Sequence, residues 1–326
     1  MSMENETASP ASYVRQVSVS AEEAGQRIDN FLSRYLKGVP RSHIYRILRR
    51  GEVRVNRGRI RPQYKVQAGD MVRIPPVRLE PVRERVLDPQ RLPEIAGNIL
   101  YENSRLLVLN KPAGIAVHGG SGLSYGVIEA LRALRPEAPY LELVHRLDRE
   151  TSGCLMIARR RSALRDLHMQ LREGRVNKHY LALVRGALEG PLRVDARLRK
   201  NQVQGGERMV RVKDNGKQAV TLFSPVSRHG GATLIEAVLE TGRTHQIRVH
   251  AAHIDHPLAG DEKYGDAGFN RFMRAHGLRR MFLHAHMLEF TDPASGEQVN
   301  VSAPLDDDLK AVLESLETAC TGCNKY

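Results

Sequence analysis

Leu143-Val144-His145-Arg146-Leu147-Asp148-Arg149-Glu150-Thr151-Ser152-Gly153 is a polar loop of alternating charge between two apolar stretches. Loops carried between strands are where sites are commonly built. Taken alone, an aspartate among arginines is more often a surface ion pair than a reacting group. Outward from this loop, short apolar strands alternate with helices. Strands are expected over 106–109, 154–158, 181–184, 233–239 and 281–290, and helices over 125–134, 162–172, 244–254 and 307–316. The regular strand-helix repeat and glycine fingerprint of a doubly wound nucleotide-binding fold are missing, and no fixed-period repeat occurs. The pattern therefore reads as α+β with a mixed, mostly antiparallel sheet, over residues 99–318.

A second polar segment, Thr241-Gly242-Arg243-Thr244-His245-Gln246-Ile247-Arg248-Val249-His250, sets Thr241-Gly242 before an amphipathic helix. Arg243 is placed near the positively polarised helix start, where an anion would be stabilised.

The chain carries 50 Lys or Arg against 37 Asp or Glu, a net charge of +13. Such an excess suggests a polyanionic partner, although it often reflects only a solvated surface. Its distribution is uneven: residues 25–85 hold 16 Lys or Arg against 5 acids, residues 86–326 hold 33 against 28, and residues 1–24 hold one against four. Within the basic stretch, Ile28, Phe31, Leu32, Tyr35 and Leu36 repeat at helical spacing. Pro40 should close that helix, and Ser42 should cap a second one ending near Arg50. Arg46, Arg49 and Arg50 share a face of this second helix, and Arg54, Arg57, Arg59 and Arg61 continue the charge beyond it. Like charges so close repel one another, and bound phosphates explain them better than a solvated face does.

The stretch from Gln26-Arg27-Ile28-Asp29-Asn30-Phe31-Leu32 through Gly51-Glu52-Val53-Arg54-Val55-Asn56 to Ala68-Gly69-Asp70 resembles an S-four-like RNA-binding domain. The expected plan is a flexible tail (1–24), this small domain (25–85), a Pro- and Arg-rich linker (86–98), the α+β domain (99–318) and a C-terminal tail (319–326).

Four segments lie in one order across the larger domain: Asn110-Lys111-Pro112-Ala113-Gly114-Ile115-Ala116-Val117-His118, the Asp148 loop, Lys178-His179-Tyr180, and the Arg243 segment. Together they resemble the signature motifs of the RNA pseudouridine synthases of the ribosomal large-subunit type. That resemblance implies a pseudouridine synthase fold and the isomerisation of uridines in 23S ribosomal RNA, at three sites near the peptidyl transferase region. It implies Asp148 as the catalytic carboxylate, Tyr180 as the aromatic group against the base, Arg243 as the ionic partner of Asp148, and Ile247 as an apolar wall. It further implies that Arg146 fills the space left by a flipped base and that His145 adjoins the substrate. Arg46, Arg49, Arg50 and Arg54 would hold RNA. Each role has a physical rationale. One carboxylate can act as nucleophile or base without redox chemistry, so no cofactor is expected. A guanidinium keeps a buried carboxylate ionised, and a base must leave its helix to be reached. The alternative is a non-catalytic RNA-binding assembly factor of the same fold.

His245, His250, His253 and His256 cluster in sequence, but the spacing of the first two does not put them on one helical face and no His-Glu-x-x-His motif occurs, so no metal is expected. Cys320-Thr-Gly-Cys323 is half a zinc ribbon without its second pair. Gly119-Gly120-Ser121-Gly122 lacks the Lys-Ser/Thr ending of a nucleotide loop and reads as flexible backbone near RNA, and Cys154 reads as core. Every hydrophobic stretch is broken by charge, and the polar start lacks a secretory pattern. A cytoplasmic monomer without membrane contact is the expectation.

Overall fold

The computed structural model describes residues 14–36, 39, 41–77, 92–119, 125–202 and 208–323. The chain divides into two compact units, residues 1–85 and 86–326.

In the first unit, β1 (Arg15–Ser18), α1 (Ile28–Tyr35), α2 (Arg41–Arg50), β2 (Arg54–Val55), β3 (Gly58–Arg59) and β4 (Met71–Ile74) follow in order. The strands form an antiparallel sheet, β1-β4-β2-β3. Ile28, Phe31 and Leu32 on α1 and Ile44, Ile47 and Leu48 on α2 recur at i, i+3 and i+4 and bury one stripe of each helix. They pack with Val53, Val55, Val72 and Ile74 of the sheet side. Asn56 and Arg57 both take left-handed φ (49° and 67°), as a tight hairpin between β2 and β3 requires. Asn56 Nδ2 donates to Asp70 Oδ1 at 2.8 Å. Residues 15–18, expected within a flexible tail, are instead the edge strand β1, with Val19 buried beside it. Pairing with β4, more than fifty residues on, holds this strand; no local pattern announces it. Pro40 lies outside the described residues, and α2 begins at Arg41, before Ser42.

The second unit contains α3 (Leu92–Gly97), β5 (Ile99–Glu102), β6 (Leu106–Lys111), α4 (Val127–Leu134), β7 (Glu142–Leu143), β8 (Ser152–Ala158) and α5 (Arg161–Arg172). It continues through β9 (Asn177–Arg185), β10 (Leu192–Asp195), β11 (Leu198–Gln202), β12 (Arg208–Val212), β13 (Val220–His229) and β14 (Ala232–Leu239). It ends with α6 (Gln246–His253), α7 (Ala267–Ala275), β15 (Leu283–Thr291), β16 (Gln298–Ser302) and α8 (Asp307–Cys323). Ten strands make one sheet along the path β10-β13-β14-β9-β15-β8-β6-β5, with β7 paired to β8 and β16 to β15. Its pairs are antiparallel except β15 with β8, so the mixed, mostly antiparallel α+β reading holds. β11 and β12 form a separate hairpin.

The parallel contact, His284↔Ser152 and Ala285↔Gly153, anchors the end of the Asp148 loop at mid-sheet. Gly153 has φ +102°, and a Cβ there would lie 2.2 Å from the Ala285 carbonyl oxygen, so only glycine fits this crossing. The main core gathers Leu107, Leu109, Leu155, Ile157 and Ala182 of the sheet under Val127 and Leu131 of α4 and Ile247 of α6.

Two boundaries move. Residues 92–97, expected as linker, form α3, and Ile95 is fully buried in this core. Helix α8 continues to Cys323, past the expected end at residue 318. The linker prolines between 78 and 91 lie outside the described residues, as do residues 1–13.

Candidate active site

The Asp148 loop is fixed from both sides. Beneath it, Lys111 at the end of β6 is fully buried, and its Nζ donates to the carbonyls of Pro112 (2.7 Å), Ile115 (2.9 Å) and Arg149 (3.2 Å). Burial pulls the Lys111 pKa down to about 7. The Gly114 amide donates to the Arg149 carbonyl at 2.9 Å, tying the Asn110–Gly114 motif to the loop. On the other side the Met156 amide donates to His145 Nε2 at 3.1 Å. Burial lowers the His145 pKa to about 4, so this imidazole is neutral and serves as a backbone acceptor. His145 therefore braces the loop against β8, and it is not among the residues that line the cavity beside Asp148. Its neighbour Leu147 is buried in the main core, which turns Asp148 the other way, toward a cavity of about 460 Å3.

Arg146, Asp148, His118, His245, Arg248 and Lys263 line that cavity. Arg248 Nη1 donates to Asp148 Oδ2 at 3.0 Å. The other edge of the same guanidinium grips Asp261 in a two-pronged pair, Nε to Oδ2 at 2.7 Å and Nη2 to Oδ1 at 2.8 Å. The Asp261 side chain is 1% exposed and also accepts the amides of Lys263 and Tyr264 at 2.9 and 3.1 Å. Burial pushes the Asp261 carboxyl up, but the hydrogen bonds and charge of Arg248 outweigh it and hold the group below the ordinary carboxylate range. Arg248 also lies over the Tyr264 ring, 5.0 Å from its centre.

The ionic partner of Asp148 is thus Arg248, not Arg243. Helix α6 starts at Gln246. Arg248 is in its first turn, whereas Arg243 lies in the preceding turn and donates from Nε to the Gln218 carbonyl at 2.9 Å. Gln246 organises that turn: its Oε1 accepts from Thr241 Oγ1 (2.7 Å) and the Arg243 amide (2.9 Å). Both arginines were visible in one motif, but their assignment depended on where the helix begins, and helix starts shift readily by two residues.

Tyr180 on β9 is 7% exposed and shares the main core with Leu147 and Ile247. Burial first, and the Asp148 carboxylate second, raise its phenol pKa. Ile247 is 4% exposed, and Arg146 is exposed at the cavity. In the first unit, Arg46, Arg49 and Arg50 on α2 and Arg54 on β2 are all exposed.

The four histidines go separate ways. His245 faces Asp148, His250 sits between Thr221 Oγ1 and the Ala196 carbonyl, His253 is exposed, and His256 Nδ1 lies 2.8 Å from the Arg185 carbonyl. Among the described residues no group of three or more His, Cys, Asp or Glu comes together as a metal site. Cys154 is buried in β8, its thiol pushed up to about 12 by burial. The Gly119 amide donates to Glu129 Oε2, while residues 120–124 lie outside the described residues. Among the described residues no helix is long and apolar enough to cross a membrane. Sequence reading missed Arg248, His245 and Tyr264 as neighbours of Asp148; Asp261 carried no local signal at all.

The RNA pseudouridylate synthase family model matches residues 105–253, and the S4 domain model matches residues 26–72. The chain belongs to the RNA pseudouridylate synthase family. It is 57% identical over 311 residues to the ribosomal large subunit pseudouridine synthase C of Escherichia coli O157:H7, covering 94% of this chain and 98% of that protein. It is 55% identical to the protein of the same name from Pasteurella multocida (strain Pm70), over 93% of this chain and 94% of that one. Among solved structures, human RNA pseudouridylate synthase domain containing 4 is similar, with a TM-score of 0.57 and 26% identity over 69% of this chain and 95% of that chain.

Proposed function

We propose that this chain isomerises particular uridines of 23S ribosomal RNA to pseudouridine, at three sites near the peptidyl transferase region, with Asp148 as the reacting carboxylate. The observation that carries the reading is the chain Asp148–Arg248–Asp261 at the wall of a cavity. The substrate follows from the relatives, which are named for the large ribosomal subunit and match the chain nearly end to end.

The reaction breaks the bond from uracil N1 to ribose C1′, turns the base and joins C5 to C1′; the hydrogen on C5 is lost and N1 gains one. The target base is flipped out of its helix, and Arg146 takes the space it leaves. Asp148 acts on the sugar, attacking C1′ or removing a sugar proton, and Arg248 holds the carboxylate in place through its Nη1 bond at 3.0 Å. Tyr180 lies against the base and Ile247 closes the wall behind it. The exposed arginines of α2 and β2 hold phosphates, independently of the chemistry.

Mapping pseudouridines in 23S RNA from cells with and without this gene tests the assignment. Three positions should lose pseudouridine and regain it on complementation. An unchanged map would leave only an RNA-binding role in ribosome assembly.

A further inference from the structure

Asp148 presents its two oxygens unequally. Arg248 Nη1 at 3.0 Å and His245 Nε2 at 3.7 Å both address Oδ2. Among the described residues nothing donates to Oδ1. Oδ1 is therefore the oxygen with a free lone pair for the sugar, and Oδ2 is the handle by which the carboxylate is held.

His245 is built for such a grip. It occupies the residue before α6 with φ 54° and ψ 24°, a left-handed conformation that non-glycine residues seldom adopt and that concentrates at functional sites. Its ring meets the Tyr264 ring edge-on at 5.5 Å, and its Nδ1 is 2.9 Å from Tyr264 Oη. The Val210 amide donates into that same Oη at 2.9 Å. While its oxygen accepts from Val210, the phenol can donate its own proton to His245 Nδ1. A neutral imidazole that accepts at Nδ1 carries its hydrogen on Nε2, the nitrogen facing Asp148. Burial lowers the His245 pKa and so favours the neutral ring, while the Asp148 carboxylate acts in the opposite direction.

We infer that His245 is a positioning residue: aligned by Tyr264, it donates from Nε2 to Asp148 Oδ2 once RNA is bound and thereby aims Oδ1 at the ribose. Hydrogen bonds of this kind are often long in the unliganded enzyme and close in the complex. The inference rests on the reading of Asp148 as the reacting group.

Two substitutions separate a grip on Asp148 from a backbone role. Gln places its amide nitrogen where the imidazole carries Nε2, so His245→Gln keeps a donor for Asp148. Asn reaches only as far as Nδ1 but tolerates left-handed φ far better. In single turnover at saturating RNA, His245→Asn should be slower by roughly 10- to 100-fold, with RNA affinity unchanged, and His245→Gln should recover most of the rate. A purely conformational role predicts the reverse order, Asn at or above Gln, and that order would overturn the inference. A wild-type rate in His245→Asn would overturn it too. Tyr264→Phe keeps the ring over Arg248 and removes the alignment, so it should lower the same rate without lowering RNA affinity; an unchanged rate means that Tyr264 does not align His245, which also overturns the inference. Asp148→Asn is run alongside: turnover by that variant removes the proposed function itself, whereas an inactive Asp148→Asn with an undisturbed His245→Asn removes only the positioning role.

Discussion

Asp148 and Arg248 are one hundred residues apart in sequence and 3.0 Å apart in space, and most of the site's chemistry depends on that approach. Replacing Asp148 with Asn preserves shape and removes the reacting carboxylate. Pseudouridine formation should disappear while RNA binding stays within a few-fold, measured after mass spectrometry has excluded deamidation back to Asp. The two arginines of the α6 segment should then part company. Arg248→Gln leaves Asp261 buried and unpaired, which costs about 3–5 kcal/mol, and it also releases Asp148. Both the unfolding midpoint and turnover at saturating RNA should fall. Arg243→Gln touches an exposed contact to the Gln218 carbonyl and should change stability by no more than about 0.5 kcal/mol and leave saturating turnover near wild type. Equal losses in the two variants would show that Arg248 is not the ionic partner of Asp148.

At the level of elements, the loop's position comes from two features of flanking strands. Gly153 permits the parallel crossing of β8 and β15, and Lys111 knots three carbonyls beneath the loop. Lys111 also makes stability depend on pH. Its folded pKa of about 7 lies below the roughly 10.4 of a free lysine. Between those values the unfolded chain holds more protons, so the contribution of Lys111 becomes more favourable as pH rises through this window and is constant below it. Urea unfolding at several pH values should show wild type gaining on Lys111→Met above pH about 7, by up to roughly 1.4 kcal/mol per pH unit. A pH-independent difference between the two would mean that burial does not perturb this amine. The motif containing Lys111 was legible as a motif; its structural task was not, because the carbonyls it ties belong to two separate loops.

For the whole molecule, the uneven charge predicts a division of labour. Residues 25–85 hold 16 Lys or Arg against 5 acids, and every residue assigned to the reaction lies in the second unit, with a core of its own. Deleting residues 1–85 should weaken RNA binding and flatten the dependence of log affinity on log salt, by about 0.7–0.9 for each phosphate that the truncated protein no longer neutralises. Single-turnover chemistry at saturating RNA should survive. An unchanged salt slope would reduce the module to a solvated decoration. A collapsed rate in a folded truncation would give it a part in positioning the uridine.

The sequence by itself determined the α+β class, the basic module and the loop bearing Asp148, because each rests on local periodicity, local charge or an uninterrupted motif. Edge strand β1 and helix α3 with Ile95 were not legible, since each is stabilised by residues distant in the chain. The same holds at the site. Asp261 belongs to no motif, and the choice of Arg248 over Arg243 turned on where α6 begins. Only tertiary structure could decide these, because an ion pair depends on distance in space, and the pairs that matter here join segments that the sheet brings together after long excursions of the chain.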